Sequence, residues 1–187
     1  VVDVEVRAGG ATGRVDVRDA QGSSLRLGGI GTAQGVTFDT AFFSGDVLAI
    51  DASVADELDA ADDVVLRHCT ITGTTTLDDR VRVEGGSQLG SDWLGGDVEI
   101  AQGAAGVEIV DSTIGGGELL IAPWAHVTIR GSVISPYDGA LEDPFAFGNW
   151  TEVTLIQNEI RRNLSAYGIE QLLSDRAARL TMRENVI

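Results

Sequence analysis

Lysine is missing altogether from these 187 residues, cysteine and methionine occur once each, histidine twice and proline three times. All 13 basic residues are therefore arginines, set against 29 Asp and Glu, and the formal net charge is −16. Phosphate backbones and anionic lipid surfaces are held through clustered Lys and Arg, so neither nucleic acid nor an anionic membrane is an expected partner. A P-loop needs the lysine that this chain does not have. A lone cysteine, Cys69, can neither close an intrachain disulfide nor build a Cys-based zinc cage. No apolar run approaches the 18 residues of a membrane span, and no membrane insertion is expected. What remains is 43% hydrophobic residues, 24 glycines and short Val/Ile/Leu clusters, too apolar for a disordered acidic tail. The length suits one domain over 1–187, expected to be a fragment or part of a larger chain.

Internal repeats organise the chain. Five eight-residue segments are apolar at positions one, three and eight: Val64 to Ile71, Val107 to Ile114, Val127 to Ile134, Val153 to Ile160 and Leu180 to Ile187. Their starts lie 43, 20, 26 and 27 residues apart, and the 43 implies a hidden coil, for which VRVEGGSQL at Val81 to Leu89 is the degenerate candidate. Alternation places Val107 and Ile109 on one face of a strand and Glu108 on the other. Short half-buried strands, Gly-rich corners and this period predict an all-β solenoid of stacked parallel strands, roughly eight coils rising about 4.8 Å each. Residues 64–187 carry the clear repeats; residues 1–60 read as degenerate coils or a cap. Position six is small and polar throughout: Cys69, Ser112, Ser132, Asn158 and Asn185. Stacked side chains there are expected to form a structural ladder that satisfies turn amides.

On these residues the segment VTLIQNEIRRNLSAYGIEQLLSDRAARLTMRENVI, Val153 to Ile187, resembles the right-handed parallel β-helix repeat family of the pectate-lyase-like superfamily, with its Asn ladder. Val64 to Ile134 shares the pattern less fully. The resemblance implies a right-handed, single-stranded parallel β-helix. The family includes polysaccharide lyases, hydrolases and epimerases, adhesins and fibre or injection-machine parts, so function has to come from a site. Leu66 to Gly73 is also similar to a stretch of β-helical proteins encoded near contractile-tail baseplates.

The longest interruption, Ser135 to Glu152, carries Tyr137, Phe145, Phe147 and Trp150 with Asp138, Glu142 and Asp143. Solenoid insertions emerge on one side and commonly build the binding face. Aromatic faces stack on sugar rings, carboxylates bind hydroxyls, and Arg161 and Arg162 are placed to hold an acidic sugar. Tyr137, Asp138, Glu142, Asp143, Trp150, Arg161 and Arg162 are therefore the ligand-binding candidates, beside the plainer reading in which the aromatics cover apolar surface. No catalytic residue can be named: position five (His68, Asp111, Gly131, Gln157, Glu184) sets no two acids on adjacent coils, and His68 and His126 have no orienting partner by spacing. The acidic run Asp56, Glu57, Asp59, Asp62 and Asp63 and the half-nonapeptide Gly90 to Leu94 are the only sequences suggesting calcium. Neither has the ligand alternation or tandem copies of a calcium loop, so no metal or other cofactor is expected.

Two functions from different classes follow as expectations. The first is a non-catalytic structural or recognition module of a bacterial surface, fibre or injection-type assembly, located outside the cell or on its surface. The alternative is an extracellular polysaccharide-processing or polysaccharide-binding protein, which as an enzyme would be a lyase or glycoside hydrolase. The partners expected are a polysaccharide, or a protein subunit stacking on the coil that ends at Ile187, since an uncovered coil exposes strand edges.

Overall fold

The computed structural model describes residues 3–7, 14–90, 96–136, 145–161 and 179–186. All regular structure among them is strand, and every strand pairs in parallel with its neighbours. The fold is a parallel β-solenoid.

One wall is a nine-stranded sheet: Arg14–Arg18, Ile30–Gln34, Val47–Ile50, Val65–Arg67, Arg82–Glu84, Ala105–Val110, His126–Arg130, Glu152–Ile156 and Arg179–Arg183, each beside the next. Alternation along each strand turns a short apolar side chain inward, and the register stacks them: Val17, Ala33, Ala49, Leu66, Val83, Ile109, Ile129, Leu155 and Met182 form one column. The strand Arg82–Glu84 sits between Val65–Arg67 and Ala105–Val110, so VRVEGGSQL is the hidden coil. The early part of the chain shares the architecture: Arg14–Arg18 and Ile30–Gln34 already pair within this sheet, and Asp3–Arg7 pairs with Gln21–Gly28 in the opposite one.

The opposite wall is a 13-stranded sheet that changes form along the solenoid. Its strands Gln21–Gly28, Thr37–Ser44 and Ser53–Ala61 are 8 to 9 residues long and unbroken. Beyond Ser53–Ala61 the sheet divides, with Thr70–Ile71, Gln88–Leu89, Thr113–Gly116, Val133–Pro136 and Glu159–Ile160 on one branch. Thr74–Leu77, Val98–Ile100, Leu119–Ile121 and Phe145–Phe147 make the other. The division falls at Gly73, which packs so tightly on the preceding rung that a Cβ there would run into the carbonyl of Asp56; a Cβ on Gly96 would in turn meet Gly73. Only glycine permits this approach of backbones.

Coil length follows the change. Side chains in register bond across 16 residues at Asp16 and Thr32 and across 17 at Arg67 and Glu84. Later the step is 20 at Ser112 and Ser132, 26 at Ser132 and Asn158, and 27 at Asn158 and Asn185. The thin early coils are filled by Leu25, Leu27, Phe38, Phe43 and Leu58 against Ala33 and Ala49; the wider later ones need Leu66, Ile109, Ile129 and Leu155 on the same wall. One continuous apolar core results, as dense packing requires.

Candidate functional site

Two corners decide which side chains face solvent. At the first, a residue with positive φ (His68, Asp111, Gly131, Gln157, Glu184) precedes an inward polar side chain. The backbone N–H of Cys69 donates to Ser87 Oγ at 3.1 Å, that of Ser112 to Ser132 Oγ at 3.2 Å, that of Ser132 to Asn158 Oδ1 at 2.9 Å and that of Asn158 to Asn185 Oδ1 at 2.9 Å. Asn158 Nδ2 also donates to the Ile129 carbonyl and Asn185 Nδ2 to that of Leu155, both at 2.9 Å. Ser87 was missed at this position because the extra residue of Gly85-Gly86 shifts it by one. Cys69 is sealed within the stack, and burial pushes its thiol up to about 11. It is therefore no nucleophile at neutral pH.

The second corner carries the aromatic groups. Ile121 to Val127 and Phe147 to Val153 align without a gap, and both chains turn through a tryptophan at positive φ, 68° at Trp124 and 64° at Trp150. Trp124 N–H donates to the Asn149 carbonyl at 3.0 Å, seating one corner on the other. The two indoles stack with centroids 5.2 Å apart and planes 7° from parallel. They remain 53% and 47% exposed. Ala125 and Thr151 follow them into the core, and then His126 and Glu152 turn outward in register with Arg179. Glu152 Oε1 accepts from Arg179 at 3.1 Å, and Oε2 lies 3.6 Å from His126 Nδ1.

Of the candidates named from sequence, Trp150 is thus at the surface in a stack with Trp124. Arg161 is exposed and its Nε donates to Glu159 at 2.9 Å, so its charge is already matched. Tyr137, Asp138, Glu142, Asp143 and Arg162 lie outside the described residues, as do Ser91 to Leu94 of the half-nonapeptide. The acidic run is pulled apart: Glu57 and Asp59 face outward from one strand, whereas Asp62 and Asp63 form a positive-φ corner where Arg80 Nε donates to Asp63 at 2.8 Å. That bond holds the Asp63 carboxyl below its ordinary range. Among the described residues no three His, Cys, Asp or Glu side chains gather into a metal-sized group.

Sequence reasoning passed over Trp124, Glu152 and Arg179. The available signal was the shared offset of the two tryptophans from Ile121 and Phe147, visible only once the coils are aligned. It also missed a depression of about 120 Å³ on the outer face of the long strands, where Arg26 lies 5.2 Å over the Phe42 ring beside Ser24, Thr40, Glu57 and Asp59. Further outward charges are tied within and across rungs. Glu84 accepts from Arg67 Nε and Arg82 Nε, both at 2.5 Å, and Arg82 reaches on to Glu108 at 2.6 Å. The hydrogen bond from Arg82, reinforced by Arg67, holds the Glu84 carboxyl low.

The architecture defines the class, a parallel β-solenoid with its polar ladder inside and an aromatic corner outside. Comparison with protein-family models, with curated proteins and with solved structures finds no match, so the class rests on the stacked strands themselves.

Proposed function

We propose that this chain is a non-catalytic recognition module: a right-handed β-helix of the pectate-lyase-like kind, the hand parallel crossovers adopt, serving as a stiff part of a bacterial surface, fibre or injection-type assembly. The observation that carries this reading is the stack itself: an inner polar ladder from Cys69 to Asn185 over one continuous core, laced outside by ion pairs. At Asp16, Asp63 and Glu84 every resolved shift is downward, driven by donors from Thr32, Arg80 and Arg82. Those donors belong to neighbouring rungs or to the same strand, so the ionised form is the one the solenoid itself uses. Ion pairs that lace rung to rung support a rod, and an inner ladder with a continuous core supports its stiffness.

The exposed stack at Trp150 favours a second reading, an extracellular polysaccharide-processing or polysaccharide-binding protein, because its sugar-facing chemistry lies in the stretch that interrupts the repeats. The test is incubation of the chain with acidic and neutral polysaccharides, with and without Ca²⁺, followed by assays for new reducing ends and unsaturated products. Neither is expected. Products of either kind would overturn the non-catalytic reading in favour of a hydrolase or a lyase.

A further inference from the structure

A tryptophan is badly placed at positive φ, where the β-carbon of an L-residue crowds its own backbone and bulky side chains are outliers. The chain accepts this twice in succession, at Trp124 and Trp150, although the corner one rung earlier uses Gly103 at a φ of 77°. Burial does not compensate, for both rings stay about half exposed. Large aromatic groups held in a strained conformation and left in water mark a surface kept for contact with something else.

The surroundings indicate what that is. Trp150 covers one face of Trp124, and the other looks along the stack to the Gly103 corner, which donates its N–H to the Pro123 carbonyl at 3.0 Å. Gly103 itself brings no side chain to that corner, and a Cβ there would meet nothing within 4 Å. Two residues beyond each tryptophan stand His126 and Glu152, with Arg179 on the following rung. A half-exposed indole pair with an outward ring nitrogen, carboxylate and guanidinium in register two residues further along the coils is complementary to a pyranose, whose axial C–H groups sit on an aromatic face while its hydroxyls bond the polar groups. Charge narrows the choice. Arg179 is committed to Glu152 and Arg161 to Glu159, and a chain of net charge −16 repels polyanions.

We propose that Trp124 and Trp150 form a platform for the uncharged pyranose rings of a glycan, with His126, Glu152 and Arg179 reading the ring hydroxyls. This deepens the recognition-module reading and rests on it. The test uses the whole chain in a Trp93→Phe background, so that indole emission reports the pair, titrated with cellohexaose, mannohexaose, xylohexaose and hexagalacturonate, with calorimetry alongside. At least one neutral hexaose is expected to bind saturably, and hexagalacturonate not to. Trp124→Gly and Trp150→Gly are each expected to lose at least about tenfold in affinity, which is one pKd unit, while folding normally, since glycine is at ease at positive φ. Should either glycine variant fail to fold, Arg179→Gln, at an exposed side chain, must weaken the same titration.

No saturation by any neutral hexaose overturns the platform, as does tighter binding of hexagalacturonate or unchanged affinity in folded Trp124→Gly. Quenching by an oligo-arginine peptide in place of the sugars also overturns it, assigning the corner to a cationic partner. Release of shorter sugars would instead overturn the non-catalytic reading and leave the platform standing, so the two fail separately.

Discussion

Asn158 is held from three sides inside the stack. Its backbone N–H and its Nδ2 both donate to Asn185, Nδ2 donates to the Ile129 carbonyl as well, and Oδ1 accepts from the Ser132 amide. Asn158→Leu keeps the backbone bond but removes the side-chain ones and strands the Ser132 amide beside a residue only 2% exposed, so a loss of about 1–3 kcal/mol in chemical denaturation is expected. Thr75 is the opposite case. It is fully buried in the column between Leu58 and Val98, and its hydroxyl has no hydrogen-bond partner. Thr75→Val keeps the shape and removes the orphaned group, which should raise stability by about 1 kcal/mol; a lower denaturation midpoint would contradict this account of the site.

At the scale of the elements, the strands are short and borrow strength from their neighbours through the outward ion pairs. Glu84 connects three strands through Arg67, Arg82 and, by way of Arg82, Glu108. Its folded pKa is depressed, so its contribution is present above the unfolded carboxylate value and is lost as pH falls through the folded one. Melting curves of the parent and Glu84→Gln should therefore be well separated at pH 7 and converge below about pH 4, the ordinary carboxylate range. A gap independent of pH would mean that the contact is not ionic. The alternation that made these strands legible is local: Val107, Ile109, Val127 and Ile129 announce the inward face by spacing alone. The division of the opposite sheet at Gly73 was not legible, since nothing in Thr72-Gly73-Thr74 tells whether a chain bends there or runs on as Thr37–Ser44 does. The decision comes from the Asp56 carbonyl lying against Gly73.

Across the whole molecule, 29 acidic and 13 basic side chains on a chain of this size mean net self-repulsion. Most pairs on the nine-stranded sheet are exposed and individually weak, so screening should relieve more repulsion than it removes attraction. The melting temperature is expected to rise between low salt and about 0.5 M NaCl, where the Debye length falls to a few Å; a fall would mean that the rung-to-rung pairs dominate. Stacked coils contact only their neighbours, so a defect in one rung is felt first by the next.

The amino-acid order by itself determined the repeat, the parallel strands and the members of the inner column, because each depends on spacings within a few residues that physical chemistry reads directly: apolar at one and three, small and polar at six. It hid Ser87 behind one inserted glycine, and it offered Tyr137 to Trp150 and Arg161 as a site by composition alone. Which side chains meet was left to the tertiary structure. Trp124 and Trp150 are 26 residues apart along the chain in two unremarkable turns, as Ser132 and Asn158 are. They become one surface because coils of matched register place equal offsets in contact. Arg161, by contrast, meets Glu159 only two residues back along its own chain, a contact that needs no register. Register is a property of the stack, and it converts a period in the sequence into neighbours in space.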